Sequence, residues 1–121
     1  MINVDSDKSI YIQIAEIIEN DILDENIKSE EQAPSTNEFA RVYNINPATA
    51  RKGLNILVDE GILYKKRGLG MFVTKDGREK VLKKRQDIFL KETLPKIIRE
   101  SKRLEIDKNQ IIKYLKELEE I

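Results

Sequence analysis

Pro34-Ser35-Thr36-Asn37-Glu38-Phe39-Ala40-Arg41-Val42-Tyr43-Asn44-Ile45-Asn46-Pro47-Ala48-Thr49-Ala50-Arg51-Lys52-Gly53-Leu54-Asn55-Ile56-Leu57-Val58-Asp59-Glu60-Gly61 is the stretch on which the fold turns. Ser35-x-x-Glu38 puts a hydroxyl and a carboxylate where the orphan amides of a helix start need acceptors. A short helix is therefore predicted from about Thr36 to Tyr43, burying Phe39, Ala40 and Tyr43. Asn44-Ile45-Asn46 turns the chain. Asn46 is a good N-cap, and Pro47 falls at the first helical position, where its fixed φ helps and its missing N–H costs nothing. The next helix runs to about Glu60 and stops at Gly61, a residue suited to a left-handed C-terminal conformation.

Working outward, Ile62 to Lys66 and Met71 to Thr74 are short β-prone runs that bracket Arg67-Gly68-Leu69-Gly70, the pattern of a β-hairpin. On the N-terminal side, Ser9 to Asp24 carries Ile10, Ile14, Ile17, Ile18 and Ile22 at helical spacing, with an acidic opposite face. Lys75-Asp76-Gly77 reads as a linker. From Arg78 the composition is helical, with an interruption at Pro95, and Asp107-x-x-Gln110 is a capping pair that opens a last helix. The expected architecture is mainly α with a small β-hairpin: a winged helix-turn-helix domain over residues 1–76 and a helical dimerisation tail over 77–121.

Composition excludes whole classes of chemistry. The chain has 121 residues with no Cys, His or Trp, so thiolate nucleophiles, imidazole bases and zinc-finger ligand sets are ruled out, and no metal or other cofactor is expected. An enzyme would have to rely on carboxylates and lysines alone, with no Gly-rich phosphate loop of Walker or Rossmann type. No apolar run approaches about 18 residues, and Met1 to Asp7 lacks the basic start of a signal peptide. A soluble, cytoplasmic protein with no membrane partner is the expectation.

Charged residues are 36% of the chain and balance to zero, but unevenly. Residues 1–35 hold nine acids and two bases, whereas 61–85 hold nine bases and two acids. Such a polarised molecule presents one surface that attracts phosphate while another turns away from it. Lys65-Lys66-Arg67 runs straight into the Gly68-Leu69-Gly70 turn. Lys83-Lys84-Arg85 serves equally well as a solvated helix face.

From Ala33 to Val73 the sequence resembles the DNA-binding domain of the GntR family of bacterial transcription regulators. The resemblance lies in Ala33-Pro34-Ser35, in the turn and Thr49-bearing second helix, in Glu60-Gly61-Ile62, and in the basic glycine wing ending in Phe72-Val73. Asn46-Pro47 and the short tail more specifically resemble the YtrA subfamily, whose members lack a large effector domain and dimerise through a two-helix tail. Three positions depart from the pattern: Asn37 where an arginine is frequent, Ala48 where the subfamily often has asparagine, and Glu105 where a glycine is usual.

Candidate roles follow from side-chain chemistry. Arg51 suits base readout, since a guanidinium donates two bonds to guanine O6 and N7; a phosphate clamp is the alternative. Ala48 suits a thymine methyl, and Thr49 a phosphate or a helix cap. Lys52 and Asn55 fall toward the groove rim, with Asn55 equally suited to solvent. Asn37 and Asn46 belong to the same DNA-binding set. Ser35 and Thr36 open a helix and offer an anion site for a backbone phosphate, compatible with capping. Arg67 and Gly68 suit insertion of the wing tip into a narrow minor groove. Leu54, Ile56, Leu57, Val58, Ile62, Leu63, Phe72 and Val73 are assigned to the core, and Tyr11, Tyr64 and Tyr114 to half-buried packing.

In the tail, Leu90, Leu94, Ile97, Ile98 and Leu104, then Ile111, Ile112, Leu115 and Leu118, recur at helical spacing. They exceed what one helix pair buries, and a segment below about 70 residues rarely holds a core by itself, so a second copy is expected to cover them. About 47 residues follow the wing, too few for a separate ligand-binding domain. The sequence leaves a small-molecule effector open, with the dimer interface as one place for it. The expected function is a homodimeric, sequence-specific transcription regulator, a repressor binding an inverted-repeat operator in double-stranded DNA. The resemblance implies an operon that includes transporter genes. The alternative is a winged-helix protein-interaction module that binds no DNA, distinguished by the absence of a steep salt dependence.

Overall fold

The computed structural model describes residues 2–5 and 8–119. Its elements are α1 (Ile10–Leu23), α2 (Thr36–Tyr43), α3 (Pro47–Asp59), β1 (Leu63–Lys66), β2 (Gly70–Val73), α4 (Gly77–Ile88), a π-helical stretch Phe89–Thr93, α5 (Leu94–Arg103) and α6 (Lys108–Glu117). The chain divides into two compact units, one running to Lys83 and the other starting at Lys84. Among the described residues, no helix is long and apolar enough to cross a membrane.

The first unit is built on the contact between α1 and α3. The isoleucine spacing of α1 buries Ile14, Ile18 and Ile22 completely, and α3 answers with Ala50, Leu54 and Leu57. The helices meet at Gly53: a Cβ there would sit 2.7 Å from Ile14 Cγ2 and 2.8 Å from the Tyr11 carbonyl oxygen. α2 adds Phe39 and Ala40 to the same core, with Tyr43 stacked on Phe39 at 4.5 Å.

The local signals act as their chemistry requires. The Ser35 hydroxyl accepts from the Glu38 N–H at 3.1 Å while Glu38 Oε1 accepts from the Ser35 N–H at 3.3 Å. Asn44 takes the left-handed conformation, φ 53°, that turns α2 into α3. Gly61, φ 74°, ends α3; its N–H donates to the Val58 carbonyl and that of Ile62 to Leu57. This is the paired closure of a Schellman motif.

β1 and β2 form an antiparallel hairpin in the register Leu63 with Val73, Tyr64 with Phe72, Lys65 with Met71 and Lys66 with Gly70. The polar stretch before α2 turns out to line the other edge of β2. The N–H groups of Glu30 and Ala33 donate to the Val73 and Met71 carbonyls, the Val73 N–H donates to the Glu31 carbonyl, and Gln32 bridges Phe72. This pairing satisfies the free edge of a two-stranded ribbon that is marginal alone.

Gly77, expected in a linker, is the buried first residue of α4. A Cβ on it would lie 2.9 Å from both the Ile62 carbonyl oxygen and Val73 Cγ1. Val81 one turn on is fully buried in the core. The first compact unit therefore runs on to Lys83.

In the second unit, the interruption expected at Pro95 is not a break. Proline offers no N–H to the Lys91 carbonyl and its ring crowds that group, and the helix accommodates it by widening into the π turn Phe89–Thr93 before α5 resumes. α5 closes with another Schellman pair: the Glu105 N–H donates to Lys102 and that of Ile106 to Ser101. Glu105 holds the left-handed position, φ 56°, although it carries a side chain. Asp107 and Gln110 form the capping box that opens α6. Tyr114, expected to be half buried, is 63% exposed, on a helix of which no residue is fully buried.

Candidate nucleic-acid interface

On α3, the buried positions Ala50, Gly53, Leu54 and Leu57 leave Ala48, Arg51, Lys52 and Asn55 on the opposite stripe, at the spacing of one helix face. Ala48, Arg51 and Lys52 are exposed. Asn55 is half buried, and its Oδ1 is fully covered without a hydrogen-bond partner. Thr49 lies half buried beside the stripe. Asn46 is exposed, and its side chain is committed to the cap, accepting from the Ala48 N–H at 2.8 Å.

α2 packs on α3 and begins at the Ser35 cap, with Ser35 and Thr36 half buried and Asn37 exposed. α3 also packs on β1, which carries the chain to the wing. Lys65, Lys66, Arg67 and Gly68 are all exposed there. A Cβ on Gly68 would meet nothing within 4 Å, so glycine is set there by its φ of 77°. The wing is anchored by Gln32, whose Nε2 donates to the Leu69 carbonyl at 2.7 Å.

Three features at this surface escaped sequence reasoning. The Lys52 ammonium sits 4.0 Å from the centre of the Tyr11 ring. That of Lys66 sits 4.4 Å from the Phe72 ring and 5.7 Å from Tyr64. The Tyr64 hydroxyl donates to Glu30 Oε2 at 2.6 Å, and this hydrogen bond, with burial and the carboxylate charge behind it, raises the phenol pKa. Lys66 was visible as part of the basic run. The Tyr11 and Gln32 contacts join segments far apart in sequence and leave no local signal.

The remaining candidates all belong to the second unit, described by itself. Leu90, Leu94, Ile97, Leu104, Ile112, Leu115 and Leu118 are exposed, while Ile98 and Ile111 are half buried. Ile106, Ile111, Tyr114, Leu115 and Leu118, with Gln110, line an apolar groove of about 280 Å³. Among the described residues, no group of three His, Cys, Asp or Glu could hold a metal ion.

A capped helix, a tight turn, a second helix with one polar face outward and a hairpin with a basic tip make a winged helix-turn-helix, an architecture of DNA-binding regulators. The chain belongs to the family described as bacterial regulatory proteins, gntR family, which its residues 10–73 match. It is 37% identical over 81 residues to the HTH-type transcriptional repressor NagR of Bacillus subtilis, a match covering 67% of this chain and 33% of NagR. The chain therefore spans about a third of that relative's length. A GntR family transcriptional regulator from Listeria monocytogenes superposes with a TM-score of 0.77 at 30% identity, covering 95% of this chain and 99% of that one. YtrA from Sulfolobus acidocaldarius, a GntR-family transcription factor, gives a TM-score of 0.59 at 26% identity over 98% of this chain and 97% of its own.

Proposed function

We propose that the chain acts in the cytoplasm as a homodimeric, sequence-specific repressor of an operon, transporter genes among them, and that it binds an inverted repeat. The observation that carries this reading is the exposed α3 stripe of Ala48, Arg51 and Lys52, in one compact unit with the α2 N-terminus and the basic wing. Arg51 reads a guanine edge by paired hydrogen bonds, and Ala48 meets a thymine methyl. Ser35, Thr36 and Asn37 receive a backbone phosphate at the start of α2, where amides and helix dipole favour an anion. Asn46 holds the N-terminus of α3 in place, and Thr49 takes a neighbouring phosphate. Arg67 enters the minor groove, with Gly68 leaving room for the backbone.

The unit from Lys84 onward supplies the second copy. Its exposed leucines and isoleucines are what a two-fold partner would bury, and two-fold dimers are the commonest oligomers. Two recognition helices then meet the duplex about one helical turn or a multiple apart. Repression is favoured over activation by the named repressor among the relatives. Selection of bound sequences from random duplex DNA tests the reading in one step: enrichment of a palindrome is expected, and no enrichment, or a single unrepeated half-site, would sink it.

A further inference from the structure

Two lysines on DNA-facing elements share an unusual setting. Lys52 on α3 has its ammonium 4.0 Å from the Tyr11 ring centre, and Lys66 at the end of β1 has its ammonium 4.4 Å from that of Phe72. Among the described residues, neither is paired with a carboxylate, in contrast to Lys8, which lies 2.7 Å from Glu16. The difference matters chemically. A carboxylate neutralises the cation it holds, whereas an aromatic face attracts it through the ring quadrupole and leaves the full charge and the ammonium N–H donors available. A lysine otherwise loses rotamer freedom when fixed, so a ring that restrains it beforehand lowers the cost of the next contact.

The rings are themselves held. Tyr11 lies in the first turn of α1, where its carbonyl oxygen abuts Gly53, one residue from Lys52. Phe72 is paired across the hairpin with Tyr64, whose hydroxyl is fixed by Glu30, and it is bridged on its other side by Gln32. Lys52 lies one position from Arg51 and Lys66 one position from Arg67, the residues assigned above to base readout and to the minor groove.

We propose that Lys52 and Lys66 are a pair of phosphate contacts held ready by the aromatic faces of Tyr11 and Phe72, with Tyr11 and Phe72 acting as positioning residues that never touch DNA. This rests on the DNA-binding reading above and extends it from the recognition stripe and the basic wing to the two rings that hold their lysines. Since phosphate carries no sequence information, both lysines contribute affinity without specificity.

The test measures affinity for a selected duplex and a random one, as a function of salt, in the full chain. Lys52→Met and Lys66→Met are each expected to weaken both duplexes alike and to reduce the slope of log affinity against log salt by about 0.9. Tyr11→Phe keeps the ring and is expected to bind like the parent. Tyr11→Leu is expected to bind about two- to five-fold more weakly, as loss of an exposed cation–π contact predicts, but to cost nothing further in the Lys52→Met background. An undiminished slope in both lysine variants overturns the proposal. So does a Tyr11→Leu defect that persists in the Lys52→Met background, because the ring then acts on the fold instead. If the parent chain binds no duplex at all, the DNA-binding reading fails with it, and that result is distinct from a parent that binds with unaltered variants.

Discussion

Arg51 and Arg67 are both exposed arginines, yet the proposed reading gives them different work. Arg51 projects from a helix whose opposite face is buried, so its backbone and the direction in which its side chain leaves are set by the packing, which favours paired bonds to one base. Arg51→Ala is expected to weaken binding to the selected operator by about 1 to 3 kcal/mol and to relax preference at one base pair per half-site. Titrations on single-substituted operators check this; an equal loss on every sequence would make Arg51 a phosphate clamp. Arg67 sits on a turn beside Gly68, where position is less sharply set and charge counts more than direction. Arg67→Ala is expected to lower affinity for operator and random duplex together and to flatten the salt dependence by about 0.9 in log–log slope. An unaltered slope would remove the wing tip from the interface.

Gly53 sets the α1–α3 crossing at the scale of elements. Alanine is the better helix former, by about 0.8 to 1 kcal/mol, so a substitution at Gly53 judged on α3 alone would stabilise. The contact decides otherwise, because the new methyl would lie 2.8 Å from the Tyr11 carbonyl oxygen, which is backbone and cannot rotate away. Gly53→Ala is expected to destabilise by about 1 to 3 kcal/mol, the range for overpacking, read from the midpoint of urea unfolding. A midpoint that rises would show that α1 yields easily. The same displacement would move Tyr11 relative to Lys52, so the variant also links the core to the proposed DNA-binding surface.

Between the two units, α4 is the continuous connection: its N-terminal turn is core and its C-terminal end belongs to the tail. Arg78 ties that first turn back to α1, donating through Nε and Nη2 to the Leu23 carbonyl at 3.2 Å each. Cutting the chain after Asp76 would remove Gly77, Arg78 and Val81 from the first unit, whereas cutting after Lys83 spares them. A chain of residues 1–83 is expected to unfold cooperatively, to sediment as a monomer, and to lose about 10²- to 10⁴-fold in operator affinity, because the second half-site is no longer held at high effective concentration. Sedimentation and operator titration of both forms check this, and undiminished binding by the shorter chain would sink the dimer.

What the sequence determined by itself is the set of features whose partners lie within one helical turn. Ser35 with Glu38, Asn46 with Pro47, Gly61 after Glu60, and Asp107 with Gln110 all act through contacts at most a few residues away, and all are found where their spacing puts them. The buried stripes of α1 and α3 were legible for the same reason, since a helix repeats every 3.6 residues whatever it packs against. Tertiary structure decided the rest. Gln32 reaches the wing across 37 residues and Arg78 reaches α1 across 55. Nothing in the polar stretch before α2 foretold its pairing along β2, because its backbone N–H and C=O groups, not its side chains, make that pairing. Gly53 reads as a weak point in a helix until the crossing carbonyl of Tyr11 explains it. Lys52 reads as a groove-rim residue and Lys66 as part of a basic run, and only the structure shows the ring beside each. Local chemistry fixes where helices begin and end, but which distant groups share a few ångströms depends on how those helices pack.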